Sequence, residues 1–291
     1  MKMKKVNTNN YYSKEANLAY MSVSQYKEFD RCEACAMAQL NGTYEKPKSS
    51  ALFLGSFVDE FLTGTKKSQI KFIADNFENI FQKSSRYIKI PERDRLEFVK
   101  DEFADLFEAE NGRPYAEIVQ ALEVIARVKK QPLMKQHLAG KHQKIMTGEI
   151  SGVPFKIKMD SYHPDKIVDL KYMASLRSPN MFEPMVKYWG YDIQGAIYQE
   201  IVRQNTGKRL PFFLNIATKE KPAHLSVAEI MQYDLDEALE KVMRNAPRYQ
   251  AIKNGEIEPE RCEDYNCDYC TETLIITEPI DSNFLGLPKK Q

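Results

Sequence analysis

Long apolar runs are missing from this chain, and so is a charge excess of either sign. No stretch approaches the ~18 residues a helix needs to cross a bilayer. The basic N-terminus, Met1 to Lys5, runs into Asn7, Thr8, Asn9 and Asn10, so the apolar core of a signal peptide is absent too. We therefore expect a cytoplasmic protein with no membrane partner. The 42 basic and 41 acidic residues leave a formal net charge of +1. That balance excludes a hold on nucleic acid that comes from a strongly basic whole. It leaves open a local basic groove or a bound divalent ion, either of which draws phosphate to a neutral protein. Histidine is scarce: His137, His142, His163 and His224 show no ligand spacing and read as surface or turn residues. The single tryptophan, Trp189, reads with its neighbouring tyrosines as core rather than as a platform for stacking bases. Internal repeats and low-complexity linkers are absent.

What is present suits a soluble globular fold. The 291 residues are 43% hydrophobic and 29% charged, with 16 Tyr and 15 Phe to fill a core. Residues 1–18 are polar and read as a flexible tail. Ser22 looks like the N-cap of a helix reaching Leu40, and a second helix is expected from Ala51 to Leu62. The stretch 70–138 reads as mostly helical, best between Tyr115 and Val128, where Ile118, Ala121, Leu122 and Ile125 recur at helical spacing. Three short strands follow at 144–150, 154–161 and 166–172, with turns at Gly152-Val153-Pro154 and His163-Pro164-Asp165. A helix over 185–205, strands at 211–217 and 224–226 and an amphipathic helix over 227–253 lead to a Cys-rich segment. This order predicts one α/β domain over 19–275, helical at its N-terminal end, and a tail over 276–291.

The informative residues lie in Lys156-Ile157-Lys158-Met159-Asp160 and Lys166-Ile167-Val168-Asp169-Leu170-Lys171. Side chains at i and i+2 share one face of a strand. Ile167, Asp169 and Lys171 therefore point one way and Val168 and Leu170 the other, while Lys156, Lys158 and Asp160 share a face. A hairpin around His163-Pro164 brings Asp160 and Asp169 together. Close carboxylates repel unless a cation sits between them. Mg²⁺, or Mn²⁺ in its place, takes oxygen ligands of this kind. A lysine beside such an ion can orient or help deprotonate a water, while the ion polarises a phosphodiester. The competing reading is a solvent-exposed strand face of alternating charge, since Asp-x-Lys alone is common.

Asp160 followed by Asp169-Leu170-Lys171 resembles the signature of the PD-(D/E)xK nuclease superfamily. Three further segments resemble its phage and prophage exodeoxyribonuclease VIII-like branch. They are Met21-Ser22-Val23-Ser24-Gln25-Tyr26 with Cys32, then Gly55-Ser56-Phe57-Val58-Asp59, then the Gln194-x-x-x-Tyr198 helix. The resemblance runs from about residue 20 to 270, in order. It implies a restriction-endonuclease-like core, a central mixed sheet flanked by helices, with a helical N-terminal portion. It implies Asp160 and Asp169 as metal-binding carboxylates, the Leu170 main-chain carbonyl as a further ligand, and Lys171 acting on the attacking water. Asp59 falls where many relatives carry a histidine ligand. Glu149 is an additional carboxylate to weigh. Gln194 and Tyr198, spaced i, i+4 on one helix face, would border the site and the DNA strand.

Cys262, Cys267 and Cys270 form C-x4-C-x2-C, and Cys32 and Cys35 form C-x2-C. In a reducing compartment these suit ligands or free thiols better than disulfides. The arrangement resembles the iron–sulfur nucleases of the CRISPR-associated and helicase-linked kinds, whose cluster staples the tail to the N-terminal helix. A [4Fe–4S] cluster or Zn²⁺ both suit such thiolates. Cys32 falls at the family position, with Cys35 as the alternative. The function implied is a metal-dependent exodeoxyribonuclease acting on duplex DNA ends, degrading one strand 5′ to 3′. It would leave 3′ tails for a single-strand-annealing recombinase and work as a homo-oligomer. The alternatives are an iron–sulfur nuclease of single-stranded DNA and a non-catalytic DNA-binding protein that kept the fold.

Overall fold

Serine and threonine hydroxyls set the first helix starts. Ser13, Ser22, Ser49 and Thr65 each accept a backbone N–H from three residues on, opening α1 (Lys14–Ala19), α2 (Val23–Arg31), α4 (Ser50–Thr63) and α5 (Lys66–Asp75). The computed structural model describes residues 6–47, 49–107, 112–262, 267–276 and 279. Most of the tail expected over 276–291 lies outside the described residues. The N-terminal tail expected over 1–18 is corrected from residue 6 onward, because Val6 and Tyr11 are buried and α1 is capped. The Lys156 ammonium holds this segment by donating to Tyr11 O at 2.5 Å and Asn17 Oδ1 at 2.6 Å.

The single helix expected from Ser22 to Leu40 is two. Cys32 is extended (φ −164°, ψ 109°) and serves both as C-cap of α2 and as N-cap of α3 (Glu33–Asn41). Helices continue with α6 (Phe77–Ile80), a 3₁₀ turn at Arg86–Lys89, α7 (Glu92–Asp101), α8 (Ala116–Lys129) and α9 (Pro132–His137). The strands follow: β1 (Lys141–Ile150), β2 (Val153–Tyr162) and β3 (Ile167–Met173). Ser151 and Gly152, both at positive φ (50° and 77°), make the tight turn between β1 and β2. Next come α10 (Met185–Tyr188), α11 (Tyr191–Thr206), β4 (Phe212–Thr218), β5 (Leu225–Ile230), α12 (Gln232–Lys253) and α13 (Asp268–Glu272). The helix expected over 185–205 breaks at Gly190, whose φ of 61° makes it the left-handed N-cap of α11. The last long helix starts later than expected because Leu225–Ile230 pairs with β4 instead.

The five strands form one mixed sheet in the order β1-β2-β3-β4-β5. β2 and β3 are antiparallel, β3 and β4 parallel, β4 and β5 antiparallel. The parallel pair requires a crossover, which α11 supplies. Phe212, Leu214 and Ile216 of β4 are buried, as befits a central strand. The restriction-endonuclease-like α/β core, a mixed sheet flanked by helices with a helical N-terminal portion, is thus present.

The chain packs as two compact units, each drawn from separate segments. One comprises Met1–Pro47, Met146–Ile157 and Glu237–Gln291. Its interior holds Tyr26 and Phe29 against Tyr249. Arg248 grips Glu33 through two hydrogen bonds of 2.7 and 2.9 Å. The other comprises Lys48–Ile145 and Lys158–Asp236. Its aromatic core includes Phe57, Phe61, Phe77, Phe81 and Tyr87, joined by Leu170 of β3. His137 is buried rather than on the surface, its Nδ1 3.0 Å from Asn215 Oδ1. Trp189 is 38% exposed and meets Tyr188 edge-on, so it is not core.

Candidate active site

β3 sorts its side chains by alternation. Leu170 turns into the aromatic core of its unit, while Asp169 and Lys171 face α11. The Lys171 ammonium lies 2.7 Å from Asp169 Oδ2 and donates to Gln194 Oε1 at 3.2 Å. Gln194 Nε2 donates to Asp169 Oδ1 at 2.5 Å. One amide thus clamps both partners of the ion pair. Lys171 also lies over the Tyr191 ring, 4.9 Å from its centroid. Asp169 is only 2% exposed. The competing reading of a solvent-exposed strand face of alternating charge therefore fails at Asp169, which α11 covers.

Asp160 arrives from β2. The two strands pair at Ser161–Val168 and Tyr162–Ile167. One position further, Asp160 Oδ2 accepts the Leu170 N–H at 3.0 Å. Asp59, on α4, accepts from Thr63 Oγ1 at 3.2 Å and from Gln143 Nε2 at 3.1 Å, one oxygen each. Sequence reasoning misses Gln143. It sits on β1 with φ of 51°, in the left-handed region that non-glycine residues seldom adopt. Tyr191 is missed as well; its place directly after a glycine break was the available signal.

The charges do not balance locally. Burial pushes the Asp160 carboxyl well above the ordinary range, and the neighbouring charges of Asp169 and Asp59 add to the effect, opposed by Lys171 and the Leu170 N–H. Burial, opposed by the Thr63 hydrogen bond and reinforced by Asp169, raises Asp59 to about 6. For Lys171, burial works against its charge, but Asp169 and Asp160 more than offset it and hold the ammonium above its usual range. Asp59, Asp160 and Asp169 outnumber the cations that act on them, Lys171 and Lys158, an excess of oxygen donors that suits a hard divalent cation.

The other expected residues divide. Leu170 follows Asp169 directly on β3, and its N–H reaches Asp160, so it links the two aspartates. Tyr198 goes elsewhere: its hydroxyl donates to Lys158 O at 2.7 Å, tying α11 to β2. Glu149 is exposed on β1. The sulfurs of Cys32, Cys262, Cys267 and Cys270 lie within 4.8 Å of one another, a grouping able to hold a metal. Cys35 is outside it; its sulfur receives Gln39 Nε2 at 3.4 Å.

Comparison with known proteins agrees with this geometry. Residues 22–273 match the family described as "PDDEXK-like domain of unknown function (DUF3799)". A crystal structure of a protein from Eubacterium rectale, described as a candidate exonuclease, superposes with a TM-score of 0.81 at 40% sequence identity. The match covers 98% of this chain and 99% of that one. Among curated proteins none matches. The chain belongs to this PDDEXK-like family, and through it to the PD-(D/E)xK nuclease superfamily.

Proposed function

We propose that the protein is a divalent-metal-dependent exodeoxyribonuclease that shortens one strand of linear duplex DNA. The observation that carries this is the assembly of Asp160, Asp169, Lys171 and Gln194 on β2, β3 and α11. The description of the Eubacterium rectale relative supports it. Asp160 and Asp169 would hold Mg²⁺ or Mn²⁺, with Asp59 as a third carboxylate and the Leu170 carbonyl as a further ligand. The bound ion would polarise the phosphodiester and make a coordinated water more acidic.

The chain's own contribution centres on Lys171. Hydrolysis forms a bond from a water oxygen to phosphorus and breaks the P–O bond to the leaving nucleotide. The Lys171 ammonium is held 2.7 Å from Asp169 Oδ2 and donates to Gln194 Oε1 at 3.2 Å. Lys171 therefore acts as a donor, orienting the attacking oxygen and offsetting negative charge as it develops on the phosphate. Gln194 fixes the ammonium against Asp169. Tyr198 acts at one remove, fastening α11 to β2 two residues before Asp160.

We further place the enzyme in the cytoplasm, attacking duplex ends 5′ to 3′ and leaving 3′ tails for a single-strand-annealing recombinase, as a homo-oligomer. Linear duplex labelled at either the 5′ or the 3′ end, incubated with Mg²⁺, tests this directly. Early release of the 5′ label alone is expected. Release confined to single-stranded substrates would favour the CRISPR-associated type, and no release with any divalent ion would leave a non-catalytic binding protein.

A further inference from the structure

Cys32 Sγ lies 3.5 Å from Cys270 Sγ, and Cys262 Sγ 3.6 Å from Cys267 Sγ. All four sulfurs fall within 4.8 Å of one another. A tetrahedral ion with metal–sulfur bonds of ~2.3 Å sets its sulfurs ~3.8 Å apart. The quartet already has that scale. A [4Fe–4S] cube is different in kind. It binds each thiolate through a separate iron, so the four sulfurs must stand outside the cube, separated by its whole width. Four sulfurs inside a 4.8 Å span leave no room for four irons and four sulfides.

The backbone around the thiols repeats one arrangement. Cys32 is the N-cap of α3 and accepts the Cys35 N–H at 3.4 Å; Cys267 is the N-cap of α13 and accepts the Cys270 N–H at 3.4 Å. An N–H aimed at a ligating sulfur supports the charge that sulfur carries and fixes its direction. Cys32 and Cys270 are buried, whereas Cys262 and Cys267 are partly exposed. An ion can therefore be closed into the site from one side.

We infer that Cys32, Cys262, Cys267 and Cys270 hold a single tetrahedral Zn²⁺ rather than an iron–sulfur cluster. The ion fastens α13 to the start of α3 and takes no part in hydrolysis. The inference stands apart from the nuclease reading, since its test reads metal content and not cleavage. The full chain is purified without oxygen from cells supplied with both iron and zinc, and zinc, iron and acid-labile sulfide are measured with the visible spectrum. About one zinc per chain and no visible absorption are expected, as for a closed structural site. Exchange for Co²⁺ should give the intense sulfur-to-cobalt bands of a tetrahedral thiolate site. Cys35→Ser should keep the metal and Cys32→Ser should lose it. A brown protein with about four irons and matching sulfide overturns the inference. So does a colourless protein without metal, or loss of zinc on Cys35→Ser alone. Should Cys32→Ser fail to fold, the metal content of the unaltered chain still decides.

Discussion

Lys171 holds its ammonium 2.7 Å from Asp169 Oδ2 and donates from it to Gln194 Oε1, and on the proposed function this group meets the phosphate. Lys171→Ala should lower the metal-free stability, because it leaves the buried Asp169 without its cation, but should keep the binding of Mg²⁺, because Asp160 and Asp169 remain. Its single-turnover cleavage rate should fall roughly 10²-fold or more. Lys166→Ala, removing a lysine that pairs with Asp165, is the control and should cost much less. Gln143 is a subtler case, since its left-handed backbone turns its amide onto Asp59. Removing a group that orients a ligand commonly costs about 10-fold or more in metal affinity. Gln143→Ala should show that loss by calorimetric Mg²⁺ titration, and unchanged affinity would remove Asp59 from the ligand set. The raised carboxyls add a pH dependence with a definite sign. The protonated form of Asp59 is favoured in the metal-free fold up to about 6, whereas unfolded aspartate titrates near about 4. Between those values the fold binds more protons than the unfolded chain, so this contribution to stability is present at low pH and is lost as pH rises through about 6. Asp160 acts in the same direction. Asp160→Asn should therefore raise the metal-free melting temperature near neutral pH by roughly 2–4 °C, the shift that ~1 kcal/mol produces in a large domain. Mg²⁺ should stabilise the parent protein and not the variant.

Among the helices, α11 matters most, because it carries Gln194 to Asp169 and covers the strand that bears the site. Its close approach depends on Gly195. A Cβ there would stand 2.7 Å from Leu235 Cδ2 and 2.7 Å from the Phe212 ring, and Phe212 is fully buried. Gly195→Ala should destabilise the protein by roughly 1–3 kcal/mol, as overpacking of a filled interior does. It should also depress cleavage more than Mg²⁺ binding, since the helix that moves carries the amide and not the carboxylates. Equal stability of variant and parent in urea would show that α11 has room to spare at this position. The break before α11 belongs to the same device. Gly190 takes φ of 61°, which ends α10 and lets Tyr191 begin the new helix beneath Lys171.

For the whole molecule, a formal net charge of +1 supplies no broad attraction for DNA. Three aspartates at the site would repel phosphate. Binding of duplex should therefore depend on the divalent ion far more than on Lys and Arg elsewhere. By fluorescence anisotropy, DNA affinity at physiological salt should be weak with chelator and should rise with Ca²⁺, which takes oxygen ligands. Affinity unaffected by chelation would place the DNA contacts away from the carboxylates. Among the described residues no helix is long and apolar enough to cross a membrane.

Strand alternation was legible in the sequence. Val168 and Leu170 are apolar and Asp169 and Lys171 are not, so the two faces of β3 followed from a period of two. Helix starts at Ser22 and near Ser50 were equally legible, since a hydroxyl three residues before a backbone N–H is a local interaction. The resemblance led to Asp160, Asp169, Lys171 and Gln194, which the fold brings together. The left-handed turn of Gln143, the burial of Asp169 under α11 and the departure of Tyr198 to the Lys158 carbonyl were not legible. Each depends on which element packs over which, and neither propensity nor spacing records that. The same holds for the cysteines. Spacing marked five candidates and the resemblance favoured Cys32 over Cys35; the fold groups Cys32 with the other three by bending the chain there, so that its sulfur faces Cys270.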